Sequence, residues 1–167
     1  MRSRARRVAV SWIIREYGPA DAADMQLCVA ALQDFERAFD PRLRPGSEIA
    51  AEYCDQLHAR CRATGGRVFV AELNGHVVGF VAVRAQEPFT ELDDPPGTYA
   101  LVSVLSVLPP YRRRGIGRRL LSHAESFAPG FGATELRIGV LSGNTPARQL
   151  YLSSGFRPHL ETLAKNL

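Results

Sequence analysis

Apolar positions recur along this chain with two different periods, and the switches between them predict an α/β domain. Residues 8–17, VAVSWIIREY, are β-branched and aromatic and stop at Gly18 and Pro19, which predicts a first strand. From Asp21 to Phe39, Met25, Leu27, Val29, Leu32, Phe35 and Phe39 favour a helix that Pro41, Pro45 and Gly46 close; Ser47 is expected to cap a second helix reaching about Thr64. VFVAEL (68–73) and HVVGFVAVR (76–84) flank Asn74 and Gly75, a pair that supplies the positive φ of a tight hairpin. TYALVSVLSVL (98–108) is apolar almost throughout and predicts a buried central strand ended by Pro109 and Pro110. Ile116, Leu120, Leu121, Ala124 and Phe127 then recur at helical spacing with arginines opposite. ELRIGVL (135–141) reads as another strand, Thr145 ahead of Pro146 as a capped helix start, and FRPHLETLAK (156–165) as a last strand. The order predicts one mixed sheet with helices on both faces.

Composition narrows this to a single core. The chain has 167 residues, 46% of them hydrophobic, enough for one domain and too few for two. No apolar run approaches the roughly 18 residues of a membrane span. MRSRARRVAVSWII imitates a signal peptide, but Arg15 and Glu16 end its apolar stretch early and no small-residue cleavage site follows, so export is not expected. Cys28, Cys54 and Cys61 lack metal-ligand spacing and read as reduced thiols of a cytoplasmic protein; no metal site is expected.

The net charge of +4 changes the picture only through its distribution. Arg2, Arg4, Arg6 and Arg7 supply four charges, so the other 17 basic groups balance the 17 acidic ones. Residues 1–7 are therefore expected to be a solvated basic tail ahead of a domain over 8–167, and no nucleic-acid partner is expected. Arg112, Arg113, Arg114, Arg118 and Arg119 form a second cluster that calls for an anion. Acidic groups concentrate elsewhere, over residues 16–55 and in Glu87, Glu91, Asp93 and Asp94.

That cluster sits where chemistry is expected. A buried strand passes through Pro109 and Pro110 into YRRRGIGRRLL, a glycine-containing turn and helix start. Such a turn presents free backbone N–H groups and the positive end of a helix dipole to one point, which suits phosphate. Neither GxxxxGK[ST] nor GxGxxG is present, since Leu120 stands where the latter needs glycine.

Arg112, Gly115 and Gly117 instead match [QR]xxGx[GA], and here the chain resembles the GNAT acetyltransferases. LSVLPPYR resembles that family's central strand and connection, and NTPARQLYLSSGF (144–156) its second conserved block. The resemblance implies a mostly antiparallel sheet and acetyl-CoA as co-substrate. It places the pyrophosphate on the N–H groups of residues 113–118, including Ile116, with pantetheine lying between two splayed strands against Leu105 and Val107. It gives the Leu105 N–H the thioester oxyanion, Asn144 a coenzyme contact, and Tyr151 the proton for the departing thiolate.

Many family members carry a glutamate on the central strand to deprotonate the amine. Here strand alternation turns Leu101, Ser103 and Leu105 to the cleft, and no carboxylate lies on the strand. Glu36, Glu72 and Glu87 are the remaining carboxylates considered, and none is assigned. Glu36, Asp40, Glu87 and Asp93, on acid-rich segments, suggest a cationic acceptor, a small-molecule amine rather than a protein. Protein lysine or N-terminal acetylation, and an acyl-CoA-binding module without turnover, are the alternatives; homodimer formation is left open.

Overall fold

Val77 to Val83 is apolar without interruption, so both faces of that segment must be covered, and the sequence achieves this by placing it in the middle of the sheet. The computed structural model describes residues 12–165. Its five strands are β1 (Trp12–Glu16), β2 (Arg67–Leu73), β3 (His76–Pro88), β4 (Thr98–Val107) and β5 (Leu136–Ile138), in that spatial order. All neighbours are antiparallel except β4 and β5, which are parallel. Helices α1 (Ala22–Glu36) and α2 (Gly46–Ala63) cover one face; α3 (Ile116–Phe127) and α4 (Thr145–Ser153) cover the other. The basic tail at 1–7 and the start of the expected first strand lie outside the described residues.

Two apolar clusters result, one per face. Met25, Cys28, Cys54, Leu57, Val70 and Phe80 fill the space under α1 and α2. Phe69, Val81, Val102, Ile116, Leu120 and Leu121 fill the space under α3, joined by the half-buried Leu150 and Tyr151 of α4. The hairpin between β2 and β3 forms as expected, with φ of 52° at Asn74 and 82° at Gly75. The three thiols are buried, and burial pushes Cys28 up to about 12 and Cys54 and Cys61 up to about 11, so they stay protonated.

Three expectations need correction. Helix α2 is not capped by Ser47: Pro45 holds the cap position, and Asp34 of α1 accepts the Gly46 N–H at 2.8 Å. Residues 156–165 form no strand, and Leu160 and Leu163 are 85% and 87% exposed. Pro158 offers no N–H, and the leucines are spaced by three rather than two, so the segment has neither the donors nor the face a strand requires.

The third correction concerns β4, and it positions the site. Along β3, Ala82 pairs with Val104 and Val83 with Val102, leaving Ser103 as an extra residue in a β-bulge. The bulge reverses the alternation. Ala100 and Val102 face the α3 side before it, whereas Leu105 and Val107 face that side after it. Leu101 and Ser103 thus line one face and Leu105 the other.

Candidate active site

The bulge also redirects the backbone. Before it, Ala100 N–H donates to Glu135 O, toward β5. After it, Leu108 N–H donates to Val78 O on β3, so by two-residue alternation Ser106 and Val104 point to β3 while Leu105 and Val107 point away. They point into an open slot, because β4 and β5 pair only as far as Val102 and Ile138 whereas β4 runs to Val107. An unbulged β4 would have turned both N–H groups into the β3 ladder. Ser106, on the other edge, fastens the strand to α1 through its buried hydroxyl, 3.0 Å from Cys28 O.

At the end of the slot the chain reverses. Arg113 has φ of 62° and Gly115 φ of 83°, so two residues in the left-handed region turn the backbone into α3. Among the described residues, the backbone N–H groups of Arg113, Arg114, Gly115, Ile116, Gly117 and Arg118 have no acceptor; the ladder resumes with Arg119 N–H to Gly115 O at 3.1 Å. A Cβ at Gly115 would meet nothing within 4 Å, so the concavity is open on that side. Consecutive free N–H groups at a helix N-terminus suit a diphosphate. The coenzyme's pyrophosphate fits this reversal, and an extended pantetheine fits the free donors of Leu105 and Val107.

The arginines of the cluster divide by task. Arg112 Nε donates to Val107 O at 2.8 Å, and its guanidinium lies 4.8 Å from the Phe35 ring centroid, joining the slot to α1. Arg118 donates to Ser153 O and Oγ, tying α3 to the end of α4. Arg119 stacks on Trp12. Arg113 and Arg114 stay exposed beside the reversal, Arg114 over Tyr111, and are the side chains available to a phosphate.

Asn144 is 6% exposed and caps α4: its Oδ1 accepts Ala147 N–H at 3.2 Å. The cap expected of Thr145 therefore belongs to Asn144, which places Pro146 at the second helical residue; among the described residues the Asn144 amide NH2 keeps no acceptor. Phe39 packs against Gly143, so closely that a Cβ there would fall 2.7 Å from its ring, and this brings the loop after α1 against the entry to α4.

Tyr151 of α4 is largely enclosed. Burial, then the negative charge of Glu36, pushes its phenol up to about 12, so it holds its proton at any physiological pH. Burial raises the Glu36 carboxyl above its usual range, and Glu36 in turn raises Tyr53 of α2, whose displacement is mainly due to burial. Glu36 is thus in electrostatic reach of both phenols.

The other acids are not gathered with it. Asp40 pairs with Arg42 at 2.8 Å, Glu87 is buried against Arg84 with Nε and Oε1 2.7 Å apart, Glu72 pairs with Arg15 at 2.7 Å, and Asp93 lies exposed in the loop after β3. A feature the sequence reading missed stands beside them. A cavity of about 220 Å³ opens between α2 and the bulge, walled by Tyr53, Gln56, Arg60, Arg84 and Ser103. Its signal was present: residues 53, 56, 57 and 60 form one helical stripe.

Comparison with known proteins identifies the fold and the family. The Acetyltransferase (GNAT) family model matches residues 29–156. A protein of Sulfurisphaera tokodaii named N-alpha-acetyltransferase is 37% identical over 92 residues, 53% of this chain and 55% of its own. One of the same name from Sulfolobus acidocaldarius is 33% identical over 96 residues, 56% of this chain and 57% of its own. The chain thus matches little more than half the length of these curated relatives. Among solved structures, the aminoglycoside N-acetyltransferase AAC(6')-Iy in complex with CoA superposes with a TM-score of 0.66 at 17% identity, covering 93% of this chain and 98% of its own. A transcriptional regulator from Bacillus halodurans gives 0.73 at 20% identity, covering 94% and 100%. At such identities these two establish the fold. With the family model spanning most of the sequence, the chain belongs to the GNAT family of acetyltransferases.

Proposed function

We propose that this protein is an acetyl-CoA-dependent N-acetyltransferase whose acceptor is an α-amine, such as the N-terminus of a polypeptide. The observation that carries the reading is the run of six acceptorless N–H groups from Arg113 to Arg118 at the mouth of the β4–β5 slot. The preference for an α-amine rests on the names of the two curated relatives, and on Asp40 and Glu87 each being paired with an arginine rather than standing free for a polycation.

The residues then take roles their environments allow. Bound acetyl-CoA supplies the activated acyl thioester. Leu105 N–H, aimed into the slot, donates to the thioester carbonyl oxygen and holds the charge that develops there. Glu36 accepts a proton from the incoming ammonium, freeing the lone pair that forms the new C–N bond. Tyr151 gives its proton to the sulfur as the C–S bond breaks and regains one from the nitrogen, so the phenol ends as it began. Glu36 returns its proton to water. The two groups are matched: when Glu36 is neutralised its field on Tyr151 vanishes, and the phenol becomes the stronger acid at the step that needs it.

Calorimetric titration with acetyl-CoA, followed by thiol release with a serine-initiated peptide, an N-blocked lysine peptide, a polyamine and an aminoglycoside, tests the reading. Affinity for acetyl-CoA and turnover with the serine-initiated peptide are expected. Absence of affinity for any acyl-CoA at low salt overturns the whole assignment, and turnover confined to the polyamine or aminoglycoside overturns the α-amine.

A further inference from the structure

The cavity between α2 and the bulge has a chemistry that the acetyl-transfer reading does not use. Its walls carry two guanidiniums, Arg60 and Arg84, and the adjacent Glu87 is spent on Arg84. Arg60 has no partner among the described residues, and no acidic side chain lines the cavity. One buried polar atom there has no partner, Ser103 Oγ; Arg84 Nε and Glu87 Oε1, which also lack an aligned hydrogen bond, face each other at 2.7 Å. Tyr53 and Gln56 add further polar groups along the same helical face. A buried hydroxyl without a partner beside an unpaired cation favours an anion that accepts from both at once.

The position relative to the chemistry sets what that anion belongs to. Ser103 precedes Leu105 by two residues, which in an extended strand is roughly 7 Å. Tyr53, on the cavity wall, also feels the charge of Glu36, the base in the reading above. Consecutive Cα atoms of a peptide are about 3.8 Å apart. A carboxylate on the first or second residue of an acceptor peptide therefore lies on the length scale that separates Leu105 from the cavity wall at Ser103.

We propose that this cavity is an acceptor-specificity site that selects amines bearing a carboxylate, the acidic side chain of one of the first two residues of a polypeptide, through Arg60 with Ser103 and Tyr53. The inference rests on the acetyltransferase reading above and reverses the cationic acceptor that the acid-rich sequence segments suggested. Selection works by charge-assisted hydrogen bonds from Arg60, whereas a lysine at the same place would face that unpaired guanidinium.

The test compares Ser-Glu-Gly-Gly, Ser-Gln-Gly-Gly and Ser-Lys-Gly-Gly, all C-terminally amidated, with the wild-type protein and with R60E under saturating acetyl-CoA. Arg60 is exposed on α2, so the reversal does not threaten the core. The expected kcat/KM ratio of the Glu to the Gln peptide is about tenfold in the wild type, falling to one or below in R60E while the Lys peptide gains. A ratio of one in the wild type, or a ratio that R60E does not move, overturns the specificity site and leaves acetyl transfer standing. If none of the peptides is turned over although acetyl-CoA binds, the α-amine reading has failed. Calorimetric binding of the Glu and Gln peptides to the CoA-saturated protein then decides the site separately, and equal or absent binding overturns it.

Discussion

Replacing Glu36 by glutamine separates a base from a bystander, because the worth of a base depends on the acceptor it serves. An α-ammonium has a pKa of about 7.8, so roughly one molecule in twenty is unprotonated at pH 6.5 and nearly all are at pH 9. If Glu36 removes that proton, E36Q must draw on the free fraction. Its deficit in kcat/KM should be about twentyfold at pH 6.5 and vanish near pH 9. A lysine acceptor, at about 10.4, would keep a large deficit across the same range. Tyr151 supplies a second reading of the same charge. Its rise from 10.0 to about 12 has burial as the larger cause and Glu36 as the smaller. Removing Glu36 therefore returns no more than half of it, at most about 1.4 kcal/mol. Ultraviolet titration of E36Q, with Y151F as the blank that isolates this phenol, should place Tyr151 lower by up to about one pH unit. A deficit that is constant from pH 6.5 to 9, with Tyr151 unmoved, would refute the role given to Glu36.

Three further outcomes are expected. Y151F should lower kcat about a hundredfold while leaving the acceptor KM close to its starting value, measured by steady-state thiol release; an unchanged kcat removes the phenol from the chemistry. Gly66→Ala places a Cβ 1.9 Å from Val83 O, a backbone atom that cannot swing away, and should destabilise by about 1–3 kcal/mol in urea unfolding. Asp21 is held below the usual carboxylate range by hydrogen bonds from Arg15 at 2.7 and 2.8 Å, against the cost of its burial. A folded pKa below the unfolded value gives stability that is complete above about pH 4 and lost as pH falls through the folded value. D21N should therefore cost about 2 kcal/mol at pH 7, discounted for the partly exposed Arg15, and the gap should close in acid.

Wherever a period or a turn residue decided the outcome, the structure was legible from the residues alone. The Asn74–Gly75 hairpin, the α3 stripe and the reversal at Gly115 are local, and local chemistry specifies them. Segment 156–165 misled because a run containing leucines looks like a strand until the missing period and Pro158 are weighed. In the site, Tyr151 is enclosed and reached by the charge of Glu36 across 115 residues of sequence, a proximity that no spacing rule announces. Composition counts Asp40 and Glu87 as free negative charge, whereas the structure pairs them with Arg42 and Arg84, neighbours that a tally of charges does not reveal. The face that Leu105 presents was misjudged for a topological reason: alternation assumes an unbroken ladder, and one additional residue in β4 inverts it.

That additional residue has a consequence for how the protein can vary. Besides its hydroxyl on the cavity wall it contributes a count: one more peptide unit on β4 than on β3 at this point of the ladder makes a single strand show one face to the cavity and free donors to the open slot beside β5. The reversal of faces does not depend on which side chain stands at position 103, whereas the number of residues between Tyr99 and Arg112 cannot change by one without exchanging inside for outside along the rest of β4. Substitution can explore this strand; insertion and deletion cannot.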